Sequence, residues 1–301
     1  MHHDRHALLP SALILGGAAA WGILWLPLRY TASHGLTGAW AALAAFLWPA
    51  VVLAPLVWRR RSVLRPWARQ CIAFGVFSGL AFGLYAVGLV HSSVVRVTLL
   101  FYLTPVWSAL TALVLLGEAT RWQGWLAAAV GLAGLALILG TGGEESVPLN
   151  FGDACALASG ISWALAVIVL RRHPHVPPLG TVFGQFLFAS ACIFCLALVD
   201  LDNAPWPTLD AWMTGAAVTG LFSTVILLPG LFGIFWAAGR MPPARVGVLM
   251  MTEVLVAVVS ASIILDESMN ALEWTGAALI MAAALIEVTA GRERAASAAP
   301  S

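Results

Sequence analysis

LTPVWSALTALVLLGEATRWQGW at residues 103–125 and EVLVAVVSASIILDESMNALEW at residues 253–274 are two copies of one pattern. Each is an apolar run closed by a glutamate and then a tryptophan. At a constant offset of 149 residues, with no gap, Glu118 falls on Glu267 and Trp125 on Trp274. The same offset carries Arg96-Val97 onto Arg245-Val246. Further upstream the offset becomes 142, where AAAWGILWLPLR (18–29) matches SGISWALAVIVLR (159–171) through Trp21/Trp163 and Arg29/Arg171. The chain therefore reads as two related halves, 1–149 and 150–301.

The composition says what solvent surrounds those halves. Of 301 residues, 61% are hydrophobic and 10% charged, with a mean hydropathy of +0.92. A soluble globular domain carries about 25% charged residues. So much apolar surface requires lipid as the outer solvent. About 20 apolar residues cross the hydrocarbon as a helix. Ten such stretches are legible, at 9–28, 38–58, 70–90, 95–116, 123–141, 151–171, 179–199, 211–238, 244–265 and 271–290. Turn chemistry separates them, as at Gly142-Gly143-Glu144-Glu145 and Pro174-His175-Val176-Pro177-Pro178. The expected fold class is an all-α integral membrane protein of ten transmembrane helices. The first stretch follows a short segment containing Arg5 and is expected to be a retained span, because its apolar run continues past Ala18-Ala19-Ala20 to Pro27.

The basic residues set the orientation. All 15 are arginine. Thirteen fall in one alternating set of loops and termini, and only Arg29 and Arg96 in the other, which also holds Glu144, Glu145 and Asp200–Asp210. The positive-inside rule makes the rich side cytoplasmic, with both termini inside an inner membrane. Five spans per half is an odd number, so the second copy is inverted relative to the first. Secondary transporters are often built this way, with the substrate between the repeats near the midplane.

Five helices twice, a small-residue–Trp motif in helices 1 and 6, and a glutamate ending helices 4 and 9 resemble the EamA-type ten-helix members of the drug/metabolite transporter superfamily. The likeness spans nearly the whole chain. MMTEV (250–254) is similar to the bacterial aromatic amino-acid exporter branch. The resemblance implies a central cavity lined by helices 1, 3, 4, 6, 8 and 9, helices 5 and 10 packed outside, and alternating access.

Glu253 is the sharpest single residue. A carboxylate in mid-membrane costs several kcal/mol unless it is neutral, paired or hydrated. It is a candidate to bind a substrate amine or a proton, or else to hydrogen-bond between helices. Thr104, Ser108 and Thr111 share one face of helix 4, and the offset places Thr104 opposite Glu253. They are candidates for the substrate path or for bonds to their own backbone. Trp21, Tyr85, Tyr102, Trp107 and Trp163 are the aromatic candidates within spans, because a buried hydroxyl or indole N–H needs a partner. Trp274 and other tryptophans at span ends fit an interfacial belt. Pro105 and Pro229 are candidate hinges, since each removes a backbone donor. Gly75, Gly79 and Gly83 permit close helix contact. Glu118 and Glu267 read as helix-end residues, and Arg96 and Arg245 as topology anchors or gate ion-pair partners.

Several classes are disfavoured. The net charge of +1, with no broad basic patch, argues against nucleic acid. Cys192 and Cys195 form a CxxC without further ligands and read as packing residues. No metal spacing and no nucleotide motif is present, so neither a cofactor nor direct ATP drive is expected. Helix 1 lacks the carboxylate of small multidrug relatives, and no arginine sits mid-span as in phosphate-ester exchangers. The leading reading is a carrier exporting aromatic and other small amphipathic amino acids, with protons as a candidate coupling ion. The others are a multidrug or other metabolite exporter, and, in a different class, a membrane enzyme or receptor.

Overall fold

The computed structural model describes residues 3–116, 122–140, 149–173, 175–199, 204–238, 246, 249–265 and 270–297. Glu118, Glu267 and Arg245 lie outside them. Among the described residues there is no strand. The helices are α1 (His3–Gly22), α2 (Trp25–Ser33), α3 (Ala39–Arg59), α4 (Arg61–Leu64), α5 (Ala68–His91), α6 (Val94–Phe101), α7 (Thr104–Leu116), α8 (Trp122–Gly140), α9 (Phe151–Arg172), α10 (Pro178–Val199), α11 (Leu209–Phe222), α12 (Leu228–Ala238), α13 (Thr252–Ile264) and α14 (Ala271–Ser297). A 3₁₀ turn (Arg65–Trp67) links α4 to α5, and a π turn (Ser223–Leu227) links α11 to α12.

Among the described residues six segments are long and apolar enough to cross a membrane: Leu9–Ser33, Ala39–Arg59, Arg61–His91, Phe151–Arg172, Pro178–Val199 and Leu209–Ala237. Shorter apolar helices run over Trp125–Gly134, Thr252–Ile264 and Trp274–Ala283. All ten stretches expected from the sequence carry helix, but some are not single uninterrupted helices.

The interruptions have a backbone cause. Proline cannot donate to the carbonyl four residues back. Pro27 would have used Ile23, and the chain breaks at Ile23–Leu24 between α1 and α2. Pro105 would have used Phe101, and the chain breaks at Tyr102–Leu103. There the Thr104 hydroxyl donates to the Phe101 carbonyl at 2.6 Å, replacing the lost bond. Pro229 follows the π turn directly. Proline is not sufficient, however: α3 contains Pro49 and Pro55 and runs unbroken for 21 residues. Proline is not necessary either. The turn at Met251, ahead of α13, has none, yet it stands 149 residues after Tyr102.

Helix α5 is the central element and packs along both α9 and α10. Its small residues explain how. A Cβ on Gly75 would sit 2.9 Å from the Gly184 Cα, and one on Gly79 would sit 2.6 Å from the Ala189 nitrogen and the Phe188 Cβ. Main chain meets main chain, the contact that the glycine spacing predicts. The remaining contacts come in matched sets. α5 touches α9, as α12 touches α1; α5 touches α10, as α11 touches α3; α6 and α7 touch α9, as α13 touches α1. α8 lies chiefly against α14.

Gly79→Leu should destabilise the purified protein by about 1–3 kcal/mol or more through overpacking. Gly16→Leu should not, because a Cβ there meets nothing within 4 Å. Thermal unfolding in detergent checks both.

Candidate functional site

Three of the helix breaks converge on Glu253. Gly22, at the end of α1, approaches so closely that a Cβ there would lie 2.6 Å from the Glu253 carbonyl oxygen. Tyr102 stands in the α6–α7 break. Its hydroxyl reaches Glu253 Oε2 at 3.1 Å and the Met250 carbonyl at 3.3 Å. Met250 and Glu253 flank the turn at Met251, so a side chain from the first half caps the break in the second. Glu253 is 4% exposed, and its Oε1 has no protein partner. A hydroxyl on one carboxylate oxygen leaves the other available to a ligand or a proton.

A chain of aromatic rings leads away from this centre. Tyr102 packs edge-on against Phe101, with centroids 5.5 Å apart. Phe101 lies 5.1 Å from Tyr85 and 6.3 Å from Phe82. Phe82 meets Trp21 at 4.5 Å and the edge of Trp163 at 5.1 Å. Trp21 continues to Phe46 and Phe46 to Phe186. The Tyr85 hydroxyl is bonded to Thr98 Oγ1 at 3.1 Å, which satisfies it inside the core. Tyr85 and Trp21 are buried, and Trp163 is half-buried.

The other sequence candidates fall around this cluster. Trp107, on α7, lies against Gly160 of α9, and its indole N–H has no acceptor. The Thr104 hydroxyl is engaged in the α6–α7 break and that of Thr111 bonds the Trp107 carbonyl at 2.7 Å, so both act on their own helix. Ser108 and Pro105 lie in α7, and their side chains are outside the described residues. Pro229 is exposed at the start of α12 beside the π turn. Thus Glu253, Tyr102, Tyr85, Trp21 and Trp163 form one connected group, Trp107 lies on the neighbouring α7–α9 contact, and Pro229 stands apart. The sequence reading missed Phe82 and Phe101, which join the tryptophans to the tyrosines. Phenylalanine carries no polar atom to single it out among the apolar residues.

A second polar centre was read only in part: Arg96 was a candidate ion-pair partner, but Asp153 was not singled out. Arg96, in α6, forms an ion pair with Asp153 at 2.9 Å, and Asp153 is fully buried. Asp153 also accepts from the Ser92 hydroxyl at 2.8 Å and from the Asn150 backbone N–H at 3.2 Å. The Asn150 side chain accepts from the Asp153 N–H at 3.0 Å and donates to Ser92 Oγ at 3.1 Å. Arg29, from α2, donates to the Ser92 carbonyl at 3.0 Å. The network ties α2, the α5–α6 turn, α6 and the start of α9 together. Its two cations are the two arginines of the arginine-poor side. The legible signal was Asn150 three residues before Asp153, a capping box at a helix start.

Among the described residues no group of His, Cys, Asp or Glu could hold a metal ion. The four cysteines are free thiols.

Comparison with known proteins agrees with this architecture. The EamA-like transporter family model matches twice, over residues 9–140 and 150–289. An "Uncharacterized transporter" of Archaeoglobus fulgidus is 27% identical over 236 residues, covering 78% of this chain and 81% of the relative. The "Aromatic amino acid exporter YddG" of Ancylobacter novellus is 30% identical over 164 residues, covering 52% of this chain and 55% of that protein. A solved structure, 21% identical, superposes over 94% of this chain and 98% of its own with a TM-score of 0.59, a likeness of fold. Its apolar helices and the double match to the family model make this chain a multi-pass membrane protein of the EamA-like transporter family, in the drug/metabolite transporter superfamily.

Proposed function

We propose that the protein is a ten-span secondary carrier of the inner membrane, with both termini cytoplasmic. It exports aromatic and similar small amphipathic amino acids by alternating access between two inverted repeats, 1–149 and 150–301. The observation that carries the substrate class is the buried Glu253 carboxylate, bonded by Tyr102 across two helix breaks at the end of a chain of aromatic rings. A carboxylate complements a substrate ammonium group, and the rings of Tyr85, Phe82, Trp21 and Trp163 complement an aromatic side chain. The exporter relative supports the same class. The inverted repeat is supported by the matched helix contacts and by breaks 149 residues apart at Tyr102 and Met251.

In this arrangement the Tyr102 hydroxyl occupies Glu253. A substrate amine or a proton takes the other oxygen, Oε1, and the α6–α7 and α13 breaks are the points where the helices bend. The Arg96–Asp153 network closes the arginine-poor side. An organic-cation exporter is the second reading, because a carboxylate with aromatic walls binds cations that carry no carboxylate of their own.

Proteoliposomes loaded with unlabelled phenylalanine or tryptophan should take up the labelled compound by counterflow, and other aromatic amino acids should compete. Competition by hydrophobic cations but not by amino acids would transfer the assignment to the second reading. Glu253→Gln should abolish any pH dependence of that flux, measured with and without an imposed pH gradient. A pH response that survives the substitution would remove Glu253 as the proton site. Asp153→Asn should raise maleimide labelling of the buried Cys155, in a background where Cys71, Cys192 and Cys195 are serine. A shift of about 1.4 kcal/mol in the gate corresponds to a tenfold faster reaction.

A further inference from the structure

A groove of about 540 Å³ opens at the end of the molecule where α3 stops and α5 and α10 begin. Val57, Leu64, Ile72 and Phe183 give it an apolar wall, and Arg61, Arg65 and Ser62 are also among its lining residues. The volume falls in the range of about 300–1,000 Å³ typical of small-molecule sites. The groove lies at the surface: Ile72 is 53% exposed, and both arginines are exposed. Its apolar part therefore faces the lipid, and its cationic part stands at the membrane–water boundary. Trp58, 69% exposed, is the adjacent interfacial aromatic, and the Arg61 guanidinium lies 4.6 Å from the centre of its ring.

Among the described residues the charge here has no counterpart. Among the described residues neither the Arg61 nor the Arg65 guanidinium has an acidic or hydrogen-bonding partner. The sequence explains why. No Asp or Glu occurs between Asp4 and Glu118, which spans every groove residue from α3 to α5. None occurs between Asp153 and Asp200 either, which spans the α10 side. Arg59, Arg60 and Arg69 add to the same unopposed field. A planar guanidinium presents paired N–H donors that match phosphate oxygens. Basic pockets beside apolar helix surfaces at the membrane boundary suit the head groups of acidic lipids.

The geometry points to a binding site for one anionic phospholipid, with its phosphate held by Arg61, Arg65 and Ser62 and an acyl chain along Val57, Leu64, Ile72 and Phe183. A soluble phosphate would leave the apolar wall unused, and a zwitterionic lipid would leave the arginine charge uncompensated. The site is separate from the Glu253 centre and does not depend on which substrate is carried.

Native mass spectrometry of the full chain, titrated in detergent with phosphatidylglycerol or phosphatidylcholine, tests it. One phosphatidylglycerol should survive activation that strips phosphatidylcholine. The double substitution Arg61→Gln/Arg65→Gln should cut the retained fraction about tenfold. Arg59→Gln/Arg60→Gln removes the same charge from beside the groove, not from its lining, and should lower retention by much less than the groove pair does. Ile72→Trp, which narrows the apolar part and keeps both arginines, should also weaken retention, and it serves as the test if the groove double variant fails to fold. The proposal is overturned if phosphatidylcholine is retained equally, if both arginine pairs reduce retention alike, or if neither groove variant does.

Discussion

The hydrogen bond from Tyr102 to Glu253 joins the two halves of the chain through a buried carboxylate. In a hydrocarbon environment a carboxylate is tolerated only where something satisfies it. Here the satisfying group comes from the other half, and from a break in a helix rather than from its regular surface. That single contact fixes how α6 and α13 meet. It sets the direction from which Phe101, Tyr85 and Phe82 approach, and it leaves one carboxylate oxygen without a protein partner.

The breaks themselves answer the strictest rule of the bilayer, that backbone donors and acceptors must be satisfied inside the protein. At the α6–α7 junction the Thr104 hydroxyl takes the Phe101 carbonyl. Where Pro27 interrupts the first apolar segment, the Leu26 N–H takes the freed Ile23 carbonyl at 3.0 Å, and the Thr219 hydroxyl of α11, itself bonded to Thr31, braces the segment through the Pro27 carbonyl at 2.8 Å. Small hydroxyl residues thus serve the broken helices. Spacing alone gave two readings for Thr104 because a hydroxyl that serves the backbone and one that faces a path show the same helical pattern.

Much of the fold was legible because its signals are long and periodic. A run of 20 apolar residues is visible without any partner, and a repeat of Glu118/Glu267 and Trp125/Trp274 needs only counting. The glycines of α5 were legible for the same reason. The interruptions were harder. Pro49, Pro55, Pro27 and Pro105 look alike in sequence, yet only the last two stand at breaks, because the neighbouring helices decide which carbonyl can be served elsewhere. The site was legible where polarity marked it, at Glu253, Tyr102 and Tyr85. It was illegible at Phe82 and Phe101, whose part depends wholly on position. Asp153 was hidden for another reason: its partner Arg96 is 57 residues away, and its position at a helix start made it resemble an ordinary cap.

Among the described residues the Arg96–Asp153 ion pair has no counterpart in the other half. Under the offset that relates Trp21 to Trp163, the position equivalent to Asp153 is Ser11, which carries no charge. Two halves that share a backbone plan therefore differ in this charge pairing. A buried pair is screened little by salt, so the tie between α6 and the start of α9 is insulated from the ionic strength of the medium.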